Sequence, residues 1–364
     1  MRSRLARNAL ALALLALAAC APRGELSFAA PPPGAALHEI MVATSRASAP
    51  PPLFFGSGRG NAPGFGAFTV SVPPTHAPGT IAWPDADPDP RIDFVLSQAV
   101  VTRSAEVFDA GLRRRFRATQ APAEAVIFVH GYNTNYAEAL YRFAQMVHDF
   151  DTSGVPVLYS WPSAGSASNY LYDRDSVLFA RDGLEDLIDR VRAAGADRIL
   201  LVAHSVGAQL LVETLRQKAL RAGGLWSGLS GVVLISPDID LDLFRAQSRA
   251  IGLLPQPFVI ITSRRDRALQ LSQWLSGSSG RLGAVDNLSA LSELQVTVID
   301  TTGASPPGAV NHISAVTSPA LISILGGLER NRSFALDRPT DLGAVLPLRV
   351  VSEGVAVGLI IGAP

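Results

Sequence analysis

The sequence predicts an α/β fold, a mostly parallel sheet flanked by helices. Three observations carry that prediction. From residue 125 to 325, short apolar runs alternate with segments of helical pattern, as strands and their covering helices do. The apolar run 198–202 (RILLV) passes through Ala203-His204-Ser205-Val206-Gly207 directly into the helix-like stretch 208–215. The chain has 364 residues with 31 Lys+Arg against 31 Asp+Glu and no basic stripe. That length suits one large core with decorations, and the charge balance gives no support for nucleic-acid binding.

At the N-terminus, Arg2, Arg4 and Arg7 precede an apolar stretch that ends Leu17-Ala18-Ala19-Cys20. A charged start, a short apolar run and small residues before a cut predict an export signal over 1–19. Cys20 is the chain's single cysteine and stands where a bacterial lipobox, which this segment resembles, requires one. The expectation is a lipid on Cys20 and a lipoprotein facing the periplasm. Ala21 gives no sign of inner-membrane retention, which points to the outer membrane. One cysteine allows no internal disulfide, and it removes cysteine nucleophiles and cysteine metal sites from consideration. Residues 20–37, rich in Ala, Pro and Gly, predict a flexible tether with ends on the order of 20–25 Å apart.

Residues 38–330 read as one catalytic domain. Strand-like pieces at 40–43 and 68–72, with a Pro-rich stretch at 73–90, are taken as the first strands of the same sheet. The strand at 125–129 leads into His130-Gly131-Tyr132-Asn133, and Asn135 with Glu138 forms a capping-box pattern that opens the next helix. Tyr159-Ser160-Trp161-Pro162-Ser163 closes the following strand, and 173–194 reads as a helix stopped by Gly195. Strands at 232–236, 258–262 and 294–299 complete the series. In the extension 331–364, two apolar runs around Ser352-Glu353-Gly354 predict a docked hairpin, too short and broken to span a membrane.

Strand, sharp turn and helix around Ser205 form the context of a nucleophile elbow, and Ala203 and Gly207 supply the small flanks that a tight turn needs. A serine hydroxyl is a poor nucleophile until a base takes its proton. Of six histidines, only His312 follows Ser205, as the chain order of serine, acid, histidine requires. His204 is expected to point to the other side of the strand end. His148, in the helix-like stretch 136–150, reads as a surface or half-buried residue. Counting the elbow after strand 5, analogy with folds that carry such an elbow places the acid after strand 7, which favours Asp266. Asp238, after strand 6, is the alternative acid, although Asp238, Asp240 and Asp242 also suit helix caps and solvated loop charge. The oxyanion donors are expected to be the backbone amides of Val206 and Tyr132, with Gly131 letting the backbone approach the substrate closely and adopt a positive φ. Trp161 and Tyr170 are candidates to line the substrate pocket, Trp161 being equally suited to the core. No cofactor and no metal site is expected.

The series IFVHGYN, LYSWPSAGS, LLVAHSVGAQLL, SPDIDLDLF, SRRDRAL and NHIS resembles bacterial α/β-hydrolases of unknown function, loosely grouped with esterases and lipases. Upstream, MVATSR, GFGAFTVSVPPTHAPG and DPRIDFVL are similar to the N-terminal section of that family. The resemblance covers roughly residues 38–325. It implies an α/β-hydrolase fold and a serine hydrolase carried by Ser205, Asp266 and His312, with an ester-type small molecule or lipid as substrate. The alternatives are a non-catalytic cell-envelope binding lipoprotein on the same fold, or an acyltransferase or peptidase using the same triad. The family often has Met after the serine and an aromatic stretch after the histidine. Here Val206 and Ile313-Ser314 stand instead, the second change bearing on how the pocket closes.

Overall fold

The computed structural model describes residues 24–119, 121–276, 280–285, 287–303, 312, 314–319, 322, 348–353 and 355–361. The export signal expected over 1–19 and the lipid site expected at Cys20 lie outside the described residues. Among the described residues, eleven strands form one sheet: β1 (Ala36–Ser48), β2 (Phe55–Val72), β3 (Val95–Thr102), β4 (Glu124–Val129), β5 (Val155–Ser160), β6 (Arg198–His204), β7 (Leu229–Ile235), β8 (Phe258–Thr262), β9 (Thr297–Asp300), β10 (Leu348–Glu353) and β11 (Ala356–Ile361). Their spatial order is β10-β11-β9-β8-β7-β6-β4-β5-β1-β2-β3. From β1 through β9 to β11 neighbouring strands are parallel, while β2, β3 and β10 pair antiparallel at the two edges. The elbow therefore follows the sixth strand of this chain, because three strands precede β4.

The helices are α1 (Ala105–Ala118), α2 (Tyr136–Asp149), α3 (Tyr170–Ala193), α4 (Val206–Ala222), α5 (Leu241–Ile251), α6 (Arg267–Ser276) and the single turn α7 (Ser314–Thr317). The central strands are apolar throughout because helices cover both faces. Alternation along β4 sends Ala125, Ile127 and Val129 into the core beneath α1, α3 and α4. Val126 and Phe128 face the other way, toward α2, where Phe128 stacks on Phe143 with ring centroids 5.2 Å apart. The expected capping box opens α2: Asn135 Oδ1 accepts from the Glu138 amide at 2.9 Å, and Glu138 Oε2 from the Asn135 amide at 2.9 Å.

The flexible tether expected over 20–37 does not hold for residues 24–29, which dock on the sheet and on Asn135. Leu26 is buried, the Leu96 amide donates to Ser27 O at 2.8 Å, and the Ala29 amide donates to Leu96 O at 3.1 Å. The physical cause is β3 itself, an edge strand whose unpaired backbone groups accept a passing segment. Gly24 is fixed further, its carbonyl accepting from Asn135 Nδ2 at 2.9 Å.

Candidate active site

Ser205 stands at the carboxyl end of β6 with φ +53° and ψ −124°, a conformation that a side-chain-bearing residue adopts only under constraint. The constraint is visible. Its amide donates to Ile235 O at 3.0 Å, and its carbonyl accepts from the amides of Asp238 at 3.1 Å and Ala208 at 3.0 Å. Gly207 is needed for close approach, since a Cβ there would lie 2.2 Å from the carbonyl oxygen of His130 and 2.8 Å from that of Val129. Gly131 has the same kind of reason. A Cβ on it would meet His204 Nδ1 at 2.5 Å and Ser205 Cβ at 3.0 Å. The expected positive φ belongs instead to Asn133, at +53°.

Three side chains meet at the elbow. His312 Nε2 is 2.8 Å from Ser205 Oγ, and His312 Nδ1 is 2.8 Å from Asp266 Oδ2. Asp266 is fully buried in the loop after β8. Its Oδ1 accepts from the amides of Ala268 at 3.0 Å and Leu269 at 3.1 Å, so the start of α6 fixes the carboxylate in place. With Nδ1–H donated to Asp266, the Nε2 lone pair faces the serine hydroxyl. Asp238 lies in a separate network. It pairs with Arg281 Nε at 3.2 Å, and accepts from Ser272 Oγ at 2.8 Å and from the Tyr170 hydroxyl at 3.2 Å.

The flanking amides are available. Neither the Val206 nor the Tyr132 backbone N–H donates to another group among the described residues. The first heads α4, where helix N–H groups have no intrahelical acceptor. Trp161 does not line a pocket. It is fully buried, stacks on His130 at 5.1 Å with planes 9° apart, and donates Nε1–H to His130 O at 2.7 Å. The strand end carries it into the core, where it holds the loop after β4. Tyr170 is half-buried, edge-on to Tyr132 at 5.4 Å, and the Tyr132 hydroxyl donates to Ala167 O. These two rings wall the same rim.

Four supporting residues are not apparent from the sequence alone. The His204 ring lies 4.7 Å from that of His312, and its Nε2 is 3.0 Å from the His312 carbonyl oxygen. Burial pulls the His204 pKa down to about 3, so the ring is neutral and Nε2–H donates. Arg46 is buried and donates to Ser160 Oγ at 2.8 Å, Ser163 O at 3.0 Å, Thr134 O at 2.8 Å and Gly56 O at 3.1 Å. Burial lowers its pKa to about 10, which still leaves it a cation. One guanidinium thereby ties the loops after β4 and β5 to the β1–β2 hairpin. Asp173, raised above the usual carboxylate range by burial, accepts from Ser163 Oγ at 2.6 Å and the Ala164 amide at 2.7 Å. His130, buried against Arg46, is held well below the usual histidine range, first by desolvation and then by that cation. The sequence signal for Arg46 is its place in MVATSR, and nothing local reveals its acceptors.

Comparison with solved structures finds a variant of the esterase rPPE at 14% identity and TM-score 0.37, covering 87% of this chain and 85% of that one. An esterase of Pyrococcus furiosus is 16% identical with TM-score 0.31, over 58% of this chain and 83% of that one. Carboxylesterase CesB of Bacillus subtilis is 15% identical with TM-score 0.25, over 60% and 85%. By sequence, an uncharacterized protein of Nostoc sp. is 27% identical over 129 residues, 28% of this chain and 34% of that protein. The chain thus spans about a third of the length of that relative. Residues 108–332 match the family described as alpha/beta hydrolase of unknown function (DUF900), and the chain belongs to that family.

Proposed function

We propose that this α/β hydrolase is a serine hydrolase acting on carboxylic esters, with Ser205 as nucleophile, His312 as base and Asp266 as the acid that orients it. The observation that carries the reading is the continuous chain from Asp266 Oδ2 through His312 to Ser205 Oγ, each step 2.8 Å, on a strained elbow. Ser205 Oγ attacks the ester carbonyl while His312 Nε2 takes its proton, and Asp266 stabilises the imidazolium. The amides of Val206 and Tyr132 donate to the tetrahedral oxyanion. His312 then protonates the departing alcohol, and water, deprotonated by the same nitrogen, releases the acid from Ser205. The substrate is an ester-type small molecule or lipid.

The test is labelling with a fluorophosphonate probe, which reports an activated serine. Wild-type protein is expected to label and Ser205→Ala to remain unlabelled. Labelling that survives in Ser205→Ala moves the nucleophile elsewhere. A folded wild type that does not label favours a binding lipoprotein. Acyl transfer and peptide cleavage are separated from ester hydrolysis by identifying the products.

The enzyme is further assigned to the periplasmic face of the outer membrane by a lipid on Cys20, supported by the lipobox-like Leu17-Ala18-Ala19-Cys20. Two or three acyl chains hold a protein stably, since each buried methylene contributes about 0.8 kcal/mol. Metabolic incorporation of a fatty-acid analogue is expected in the wild type and absent in Cys20→Ser. No incorporation in the wild type would leave an exported enzyme without an anchor.

A further inference from the structure

Three histidines and an aspartate converge at the amino edge of the sheet, opposite the triad. His38 opens β1, His148 and Asp149 close α2, and His76 lies in the loop after β2. His76 Nε2 and Asp149 Oδ1 are 2.6 Å apart, their side chains only 4% and 1% exposed. One nitrogen of His148 joins them, so that three potential ligand atoms lie within 4.8 Å of one another. His148 Nδ1 is in turn 3.1 Å from His38 Nε2. The rings of His76 and His148 meet edge-on at 5.2 Å, and those of His38 and His148 at 5.3 Å. Among the described residues, His76 Nδ1 is buried with no hydrogen-bond partner.

Two imidazoles and a carboxylate facing one space are the donor set of a borderline-soft divalent cation. Ligands at about 2.0–2.2 Å from a tetrahedral zinc sit roughly 3.3–3.6 Å apart, a spacing inside the 4.8 Å that spans the three atoms here. A ligating histidine commonly donates its other ring N–H to an acceptor, and His38 Nε2 stands in that place toward His148 Nδ1. Asp149 also accepts from the Gly79 amide at 2.6 Å and from Gln145, whose side chain donates to Val316 O at 3.1 Å. Val316 lies in α7, four residues beyond His312. Arg142 borders the group, donating to Gln145 Oε1 at 2.7 Å and to Gly79 O at 3.3 Å.

We propose that His76, His148 and Asp149 form a site for a divalent transition metal, zinc being the ion its donors suit best, with His38 orienting His148. The metal would clamp the loop after β2 to the end of α2 and, through Gln145, steady the segment that follows His312. This site is separate from the triad and does not depend on the hydrolase reading.

The test uses untagged protein stripped with chelator, since a histidine tag binds the same metals. Calorimetric titration with zinc is expected to show one saturable equivalent, accompanied by a rise in Tm. His312→Gln should bind as the wild type does, which excludes the triad as the site. His148→Gln should lose binding, and the half-exposed His38→Gln should weaken it by about 10–100-fold. No saturable equivalent in the wild type, or wild-type affinity in His148→Gln, overturns the proposal. Should His148→Gln fail to fold, cobalt decides on the wild type. Intense visible bands of a tetrahedral ion support the site, and a spectrum equal to that of aqueous cobalt overturns it.

Discussion

Asp266→Asn is expected to lower kcat/KM toward ester substrates by up to about four orders of magnitude while leaving the protein folded. Asparagine can still accept from the Ala268 and Leu269 amides through its Oδ1, so the start of α6 keeps its cap. At the Oδ2 position it presents an NH2 group to His312 Nδ1, which must then act as acceptor. The ring proton moves to Nε2 and points at Ser205 Oγ, where a lone pair is required. Asp238→Asn tests the alternative acid in the same assay. It should affect turnover far less and act on stability, by on the order of 3 kcal/mol, because Arg281 loses its buried carboxylate. Steady-state kinetics on a p-nitrophenyl ester and urea unfolding of both variants check this. The reverse ranking would transfer the role to Asp238.

Gly207→Ala is the second substitution with a large expected effect. The added methyl group meets backbone on both contacts, the carbonyl oxygens of His130 and Val129, and backbone cannot rotate aside as a side chain can. The start of α4 must therefore move away from the end of β4, taking with it the Val206 amide and the strained Ser205. A displacement of about 1 Å at a reacting group costs on the order of 10²-fold in rate. The overpacking itself costs about 1–3 kcal/mol. Ala203, on the other side of the serine, is already alanine and fully buried, so the two flanks of the elbow differ in what they tolerate. Kinetics and unfolding together make the check, and wild-type values in both would mean that α4 does not press on β4.

The parts of this molecule legible in the sequence are those in which chemistry restricts both residue type and chain order. Ser205 and His312 are picked out by such restrictions before any coordinate is known, whereas Asp266 is preferred to Asp238 only by analogy with the fold. Gly131 shows the limit of the same reasoning. Glycine signals that a Cβ is unwelcome, but not whether the cause is a positive φ or a neighbour, and here it is the neighbouring His204 and Ser205. Trp161 is a related case, since its burial is decided by how the loop after β4 closes over it. Arg46 was out of reach because its acceptors Ser160 and Ser163 lie 114 and 117 residues away in the chain. Leu26 to Ala29 misled because Ala, Pro and Gly composition reports local stiffness, whereas an open strand edge recruits backbone whatever its side chains.

That docked segment changes how an anchored form of this protein would meet its substrate. Gly24 is bonded to Asn135 and Glu138, which follow directly on the loop that carries Tyr132. From Cys20 to Gly24 there are four peptide steps, spanning at most about 14 Å. With lipid on Cys20, the leash would leave the body at the rim where Ser205 lies, and it would be too short to let that rim swing away. The catalytic face would then look at the bilayer, and the search for esters would run in two dimensions. Turnover would follow the surface density of substrate in the leaflet rather than its concentration in the surrounding fluid.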